Sequence, residues 1–277
     1  MKRFLLSIFV ITPCLALATD ISNKLDDLQK SYNSQIGIYS INDNNKNSFG
    51  YNQNDYFPIC SVFKFLLVGA ILQKDMQEPN FLNKKILITT EDVSSFGYAP
   101  KTADNIGKYM SVSELSFAAI LSDNPAANIL MAQIGGPEKL TQFIKSLGDN
   151  NTVIDEYEPY VNDTTFDSNI NKTTPENIAK DMHTLAFGNI LDTKHKAIFK
   201  KWLQDNKTGA NRIAFSIPNS WKIGDKTGTC GYGSTNDVAI LWPTNKEPIT
   251  LAVLYTNPSN KDAKPNEEAI QKATKLV

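Results

Sequence analysis

Histidine is nearly absent: the 277 residues hold two, His183 and His195. Both fall in stretches that read as helix, far along the chain from the serine discussed below. A Ser-His-Asp relay therefore has no place here, and no paired-histidine spacing supports a zinc site. Charge of one sign is lacking too. Lys and Arg total 28 against 29 Asp and Glu, for a net charge of −1. Composition thus points to no nucleic-acid partner and to no anionic membrane surface. There is no internal repeat and no low-complexity tract. The run 62–72 carries a single charge, Lys64. It is too short to cross a bilayer and predicts a helix buried in a protein core.

Cysteine is scarce: Cys14, Cys60 and Cys230. The first lies in what reads as an export signal. Lys2 and Arg3 form its basic start, an apolar run begins at Phe4, and Ala16-Leu17-Ala18 is a small-residue cleavage pattern. Cleavage is expected after Ala18. Pro13 precedes Cys14, where a lipoprotein signal places a small residue. The mature chain would keep 28 − 2 = 26 basic residues against 29 acidic, net −3. It would have no membrane anchor and would be periplasmic or secreted. Cys60 and Cys230 remain, an even number in an oxidising compartment. That leaves a disulfide or two separate buried thiols.

Helical spacing of Ile21, Leu25, Leu28 and Tyr32 predicts an amphipathic helix over 20–33. Alternation around Ile36 and Ile38 predicts a strand ending near Ile41. A turn follows at 42–45, and a second strand at 48–51. Residues 75–205 read as mostly helical. Ser111 and Glu114 form a capping box. Pro125 and Pro137 open helices, while Gly135-Gly136 and Gly148 close them. Residues 150–173 are polar and longer than an ordinary connection, which marks a functional loop. Thr174-Pro175 opens another helix, and Ile198, Phe199, Trp202 and Leu203 mark one more. Strands are predicted at 220–225, 237–242 and 249–255, and a closing helix at 266–277. The pattern is an α/β (α+β) fold: a sheet layer built from both chain ends around an inserted all-α part.

Lys64 inside an apolar helix needs a reason, because an uncompensated buried ammonium is expensive. Ser61 stands three residues earlier on the same face, at a helix N-terminus whose backbone N–H groups favour developing negative charge. This is how a serine nucleophile is activated without histidine. Four further sites could join it. Ser122-Asp123-Asn124 lies at a helix junction. Glu158 and Asn162, four apart in the long loop, aim at one point if the loop makes a helical turn. Lys226-Thr227-Gly228-Thr229 lies on a strand where Gly228 permits close approach. Arg212 lies between the helices and that strand. Each also has a plain structural reading alone: a helix cap, a solvated loop acid, an edge-strand charge.

Together, S-x-x-K at Ser61–Lys64, S-D-N at 122–124 and K-T-G at 226–228 form the set shared by class A β-lactamases and penicillin-binding proteins. With Glu158-Pro159-Tyr160-Val161-Asn162, which is similar to the Ω-loop motif of the former, the mature chain resembles a class A serine β-lactamase. Cys60, Cys230 and Arg212 resemble its disulfide-bearing, carbapenemase-like branch. The resemblance implies two domains. An antiparallel sheet flanked by helices comes from 19–60 and 206–277, and an all-α domain from 61–205, with an Ω loop at 152–171. It implies a monomer without metal or other cofactor, acting on a small-molecule β-lactam. Ser61 would attack the lactam carbonyl, with Lys64, or Glu158 through a water, taking its proton. The N–H groups of Ser61 and Thr229 would form the oxyanion hole. Ser122 would pass a proton to the lactam nitrogen beside Lys226, and Asn124 would hold the side-chain amide. Glu158 and Asn162 would hold the deacylating water. Thr227, Thr229 and Arg212 would bind the carboxylate, and Tyr98 would wall the entrance. A D-alanyl-D-alanine peptidase or a covalent β-lactam sensor shares the acylation step but lacks the deacylating pair that Glu158 and Asn162 resemble.

One departure stands out. The family usually ties the neck of the loop with an Arg–Asp ion pair. Here those positions hold Glu156 and Asn171. The expectation is a hydrogen bond from the Asn171 amide to Glu156, a weaker tie than the bidentate pair it replaces, and a loop that yields to bulky substrates.

Overall fold

The computed structural model describes residues 13–42, 47–94 and 97–277. The basic and apolar start of the expected export signal lies outside the described residues, as does most of the turn expected at 42–45. Helix α1 (Pro13–Ser31) begins earlier than the 20–33 predicted from its apolar spacing. Strands β1 (Gln35–Asn42), β2 (Asn47–Tyr51) and β3 (Phe57–Pro58) lead to helix α2 (Phe63–Gln77). Then come β4 (Lys85–Leu87), α3 (Thr90–Ser94), β5 (Tyr109–Ser111), α4 (Val112–Ile120), α5 (Asn124–Ile134) and α6 (Pro137–Ser146). After a long loop follow β6 (Lys172–Thr173), α7 (Pro175–Phe187), α8 (Thr193–Gln204) and the short α9 (Ile213–Ser216). The chain closes with β7 (Lys222–Thr229), β8 (Thr235–Trp242), β9 (Ile249–Thr256) and α10 (Glu267–Leu276).

Five strands pair antiparallel in the order β2-β1-β9-β8-β7. The first and last parts of the chain therefore meet at the middle of the sheet. Alternation sends side chains to two cores. Tyr39, Ile41, Val238, Ile240, Ala252 and Leu254 join the large core shared with the helices. Ile36, Ile38, Ala239, Leu241, Leu251 and Val253 join a smaller one under α1 and α10. A sheet covered on both faces buries its central strands along nearly their whole length, as in β8 and β9.

The helical layer is built on α2, buried at every residue from Phe63 to Leu72. The expected capping box is present: Ser111 Oγ accepts from Glu114 N, and the Glu114 carboxylate accepts from Ser111 N. Pro125 and Pro137 open α5 and α6, and Gly135 ends α5 at a left-handed φ of +97°. Among the described residues, no helix is long and apolar enough to cross a membrane.

The loop between α6 and β6 has a polar base. Asp149 Oδ1 accepts from the N–H groups of Asn151 and Thr152 and from the Asn177 amide. Asp149 Oδ2 and Asp181 Oδ2 are both buried without another partner. Burial first, then the Asp149 charge beside it, hold the Asp181 carboxyl well above the usual carboxylate range. That environment favours the neutral carboxyl at Asp181 beside Asp149.

The neck of this loop differs from expectation. No hydrogen bond joins Glu156 to Asn171 among the described residues. Glu156 is exposed, while Asn171 turns its Oδ1 inward to accept from Asp155 N at 3.2 Å. Asn171 also exchanges backbone bonds with Val153 and Ile59 and sits at φ +54°. A left-handed backbone suits Asn and spends its side chain on the local turn.

Candidate active site

Residues Cys60–Val62 form one tight 3-10 turn ahead of α2. That turn places Ser61 at the helix N-terminus, and Lys64 Nζ donates to Ser61 Oγ at 3.0 Å. The same ammonium donates to Ser122 O at 2.9 Å and Asn124 Oδ1 at 2.5 Å. It lies 2.8 Å from Glu158 Oε1, with both side chains fully buried. At that distance the carboxylate attracts the ammonium directly. Burial pulls the Lys64 amine below its ordinary value, and the Glu158 charge pushes it partly back.

Ser122 is held by its neighbour. Asp123 caps α5, with Oδ1 accepting from Ala126 N, and its Oδ2 accepts from the backbone of Lys101 and Thr102. The backbone of Ser122 is left-handed, φ +72°, as is that of Cys60, φ +46°. Such strained non-glycine residues persist where their surroundings over-determine them. Here each flanks or carries a serine hydroxyl in the cleft. Ser122 Oγ accepts from Lys226 Nζ at 2.5 Å. Burial, and then the Lys64 charge, push the Lys226 amine well below its ordinary value.

A 3-10 turn over Tyr160–Asn162 brings the two expected loop residues together. Asn162 Nδ2 donates to Glu158 Oε2 at 2.6 Å, and Asn162 Oδ1 is buried without a partner. Asn128 fixes Glu158 from below. Its amide accepts from Glu158 N and donates to Glu158 O, both at 2.9 Å. Sequence reasoning missed Asn128. Its one local signal is a position four after Asn124, hence the same helix face.

Strand β7 supplies the opposite wall. A side chain at Gly228 would meet Val62 Cγ2 at 2.9 Å and Ile59 O at 3.0 Å, so glycine lets this strand lie against the Ser61 turn. A disulfide joins Cys60 to Cys230, with Cα atoms 5.6 Å apart. Arg212 is buried behind the strand. It donates to Gly228 O at 2.9 Å, Asn236 O at 2.6 Å and Thr229 Oγ1 at 2.6 Å, and lies 3.3 Å from Glu267. Nearby, burial pushes the Asp225 carboxyl up to about 6. Burial, then the Asp225 charge, hold Asp237 well above the carboxylate range.

These groups converge on one cleft of about 340 Å³, lined by Ser61, Tyr98, Ser122, Asn124, Asn162 and Arg212 and by 227–229. Tyr98 is largely exposed at its mouth. Thr208 also lines it, with its hydroxyl 2.6 Å from that of Thr227, and nothing in the local sequence marked it. A larger hollow of about 560 Å³, around Glu156 and Tyr160, lies on the outer face of the loop and holds none of the serine and lysine groups. Among the described residues, no cluster of His, Cys, Asp and Glu could hold a metal ion.

The arrangement is that of a serine acyl-transfer enzyme with lysine and carboxylate in place of histidine. The model of the β-lactamase enzyme family matches residues 20–277. Beta-lactamase SME-1 of Serratia marcescens is 36% identical, over 97% of this chain and 95% of its own. An imipenem-hydrolyzing beta-lactamase of Enterobacter cloacae is 37% identical, over 92% and 87%. The crystal structure of a beta-lactamase from Francisella tularensis superposes with TM-score 0.90 at 57% identity, covering 92% of this chain and 96% of that one. The chain belongs to the β-lactamase family, as a class A serine enzyme of the disulfide-bearing branch that hydrolyses the β-lactam amide and so confers antibiotic resistance.

Proposed function

We propose that Ser61 is the nucleophile and that the groups around it divide the reaction as follows. Ser61 Oγ attacks the lactam carbonyl while Lys64 takes its proton, or Glu158 takes it through a water. The 3.0 Å contact between Lys64 and Ser61 supports the direct route, and the depressed amine makes a neutral base accessible. The N–H groups of Ser61 and Thr229 stabilise the oxyanion. The carbon–nitrogen bond then breaks, and Ser122 protonates the leaving nitrogen with Lys226 beside it. Thr227 and Thr229 bind the ring carboxylate, with the Arg212 charge behind them. Asn124 holds the side-chain amide, and Tyr98 walls the mouth of the cleft.

Water next attacks the ester. Glu158 takes its proton and Asn162 orients it. The observation that carries this reading is the Glu158–Asn162 hydrogen bond beside a buried Asn162 Oδ1 that still lacks a donor. A water between them would satisfy it. Glu158→Ala should let Ser61 acylate but stall release, so intact-mass spectrometry should show a long-lived penicilloyl adduct. Turnover of penicillin at the parent rate would defeat the assignment.

The same reading extends to the whole protein. Cleavage after Ala18 would deliver a monomer to the periplasm or the medium. It would comprise a sheet domain from 19–60 and 206–277 and a helical domain from 61–205. Edman sequencing of the exported protein should begin at Thr19.

A further inference from the structure

The loop that carries Glu158 is fastened to the helical layer by one device used twice. Thr141 of α6 is buried, and its hydroxyl sits between the two backbone groups of one loop residue. Thr141 Oγ1 accepts from Ile154 N at 2.9 Å and donates to Ile154 O at 2.7 Å. Asn128 of α5 does the same for Glu158, accepting from its N–H and donating to its carbonyl, both at 2.9 Å. A loop residue whose donor and acceptor are held by one side chain cannot turn either flanking peptide without breaking a bond. A buried backbone group left unpaired is costly.

The two clamps bracket the segment 154–158. Ile154 joins the large core together with Leu140 and Ile144 of α6, while Asp155 and Glu156 are exposed. Tyr157 leans back on the junction of α5 and α6, where a side chain at Gly136 would meet its hydroxyl at 3.3 Å. Tyr157 O then accepts from Val161 N at 3.0 Å, opening the turn that brings Asn162 to Glu158. Beyond Ile154 the neck contributes one bond among the described residues, from Asp155 N to Asn171 Oδ1 at 3.2 Å, on an exposed residue.

We infer that Thr141 is a positioning residue for deacylation, fixing the start of the 154–158 segment so that Glu158 takes its place from the helices. The inference rests on the reading of Glu158 given above. Thr141 does not line the cleft and acts through Ile154. With Asn128 alone, the segment is held at one end and swings about it. The Glu158 carboxylate then leaves the place where Oε2 meets Asn162 at 2.6 Å and Oε1 meets Lys64 at 2.8 Å. Misplacement near 1 Å costs on the order of 100-fold in rate. Ser61, Lys64 and Thr229 stand on α2, the turn before it and β7, outside the loop. Formation of the ester is therefore spared.

The test is Thr141→Val, which keeps the shape and removes the hydroxyl. Rapid quench with intact-mass detection on benzylpenicillin separates ester formation from ester release. T141V should slow release about tenfold or more. It should leave kcat/KM, which depends only on steps up to acylation, within about threefold of the parent, so that KM falls with kcat. T141S, which keeps the hydroxyl, should release within about threefold of the parent. N171G, which keeps the left-handed backbone and removes only the neck amide, should slow release less than T141V does. In E158A, adding T141V should change release less than about twofold, because no carboxylate is left to place. Circular dichroism checks folding, and T141A replaces T141V if that variant does not fold. Equal losses in release and in kcat/KM, or release by the folded variant at the parent rate, would overturn the positioning. So would an undiminished loss in E158A, a T141S as slow as T141V, or an N171G as slow as T141V. Release by E158A at the parent rate would instead overturn the reading of Glu158.

Discussion

Two buried amines and a buried carboxyl give single residues here unusual leverage over pH. Lys226 is pushed well below its ordinary value by burial and by Lys64, so its charge is lost as pH rises through that lowered value. An arginine stays protonated throughout. Lys226→Arg should therefore move the alkaline limb of kcat/KM to higher pH. An unmoved limb would assign it to another group. Asp181 works in the opposite sense. Burial and the Asp149 charge raise its carboxyl well above that of an unfolded aspartate, about 4, so the folded chain binds that proton more tightly. Stability contributed by that proton is full below the unfolded value and falls as pH rises toward the raised folded one. Asp181→Asn replaces the protonated oxygen by an amide that still donates to Asp149. It should flatten the pH dependence of urea unfolding and add about 1 kcal/mol at neutral pH. An unchanged slope would show that the pair does not hold a proton. The serines, lysines and Glu158 were legible in sequence because each motif is local, a few residues on one turn. Asn128 was not. Its partner lies 30 residues away, and only the path of the loop brings the two together.

Elements meet at the Ser61 turn, where β7 lies against 59–62 without room for a methyl group. Gly228→Ala should force the strand outward. A displacement near 1 Å in a catalytic array costs on the order of 100-fold in rate, and steady-state kinetics on penicillin should show it with little change in the circular dichroism spectrum. The disulfide ties the same two elements across a sequence separation of 170 residues. Cys60→Ala should lower unfolding free energy by about 2–4 kcal/mol and lower turnover with it. Full activity alongside lost stability would confine the bond to holding the fold. Helix limits were readable from capping chemistry, as at Ser111, Pro125 and Thr174. The loop neck was not, because Glu156 and Asn171 could have met. It was the left-handed turn at Asn171, invisible in composition, that sent its side chain to Asp155 instead.

At the scale of the molecule, helices and sheet share one large core that takes in α2, α4, α5 and the inner face of β8 and β9. Layers that share a core should unfold together. Trp202 and Trp242 pack on that core and Trp221 on the smaller one. Tryptophan fluorescence and far-ultraviolet circular dichroism should therefore trace one coincident transition in urea, and two separated transitions would show independent layers. The pairing at the centre of the sheet has another consequence. Strand β1 is made early, and its neighbour β9 is the last strand to be made. For most of synthesis β1 is an apolar strand with no partner on that edge, the kind of edge that recruits other chains. The helices can gather from near neighbours meanwhile, but the sheet waits on its most distant pairing, the slowest kind to form. A nascent chain of this design should gain yield from a factor that shields its first strands until its final ones arrive.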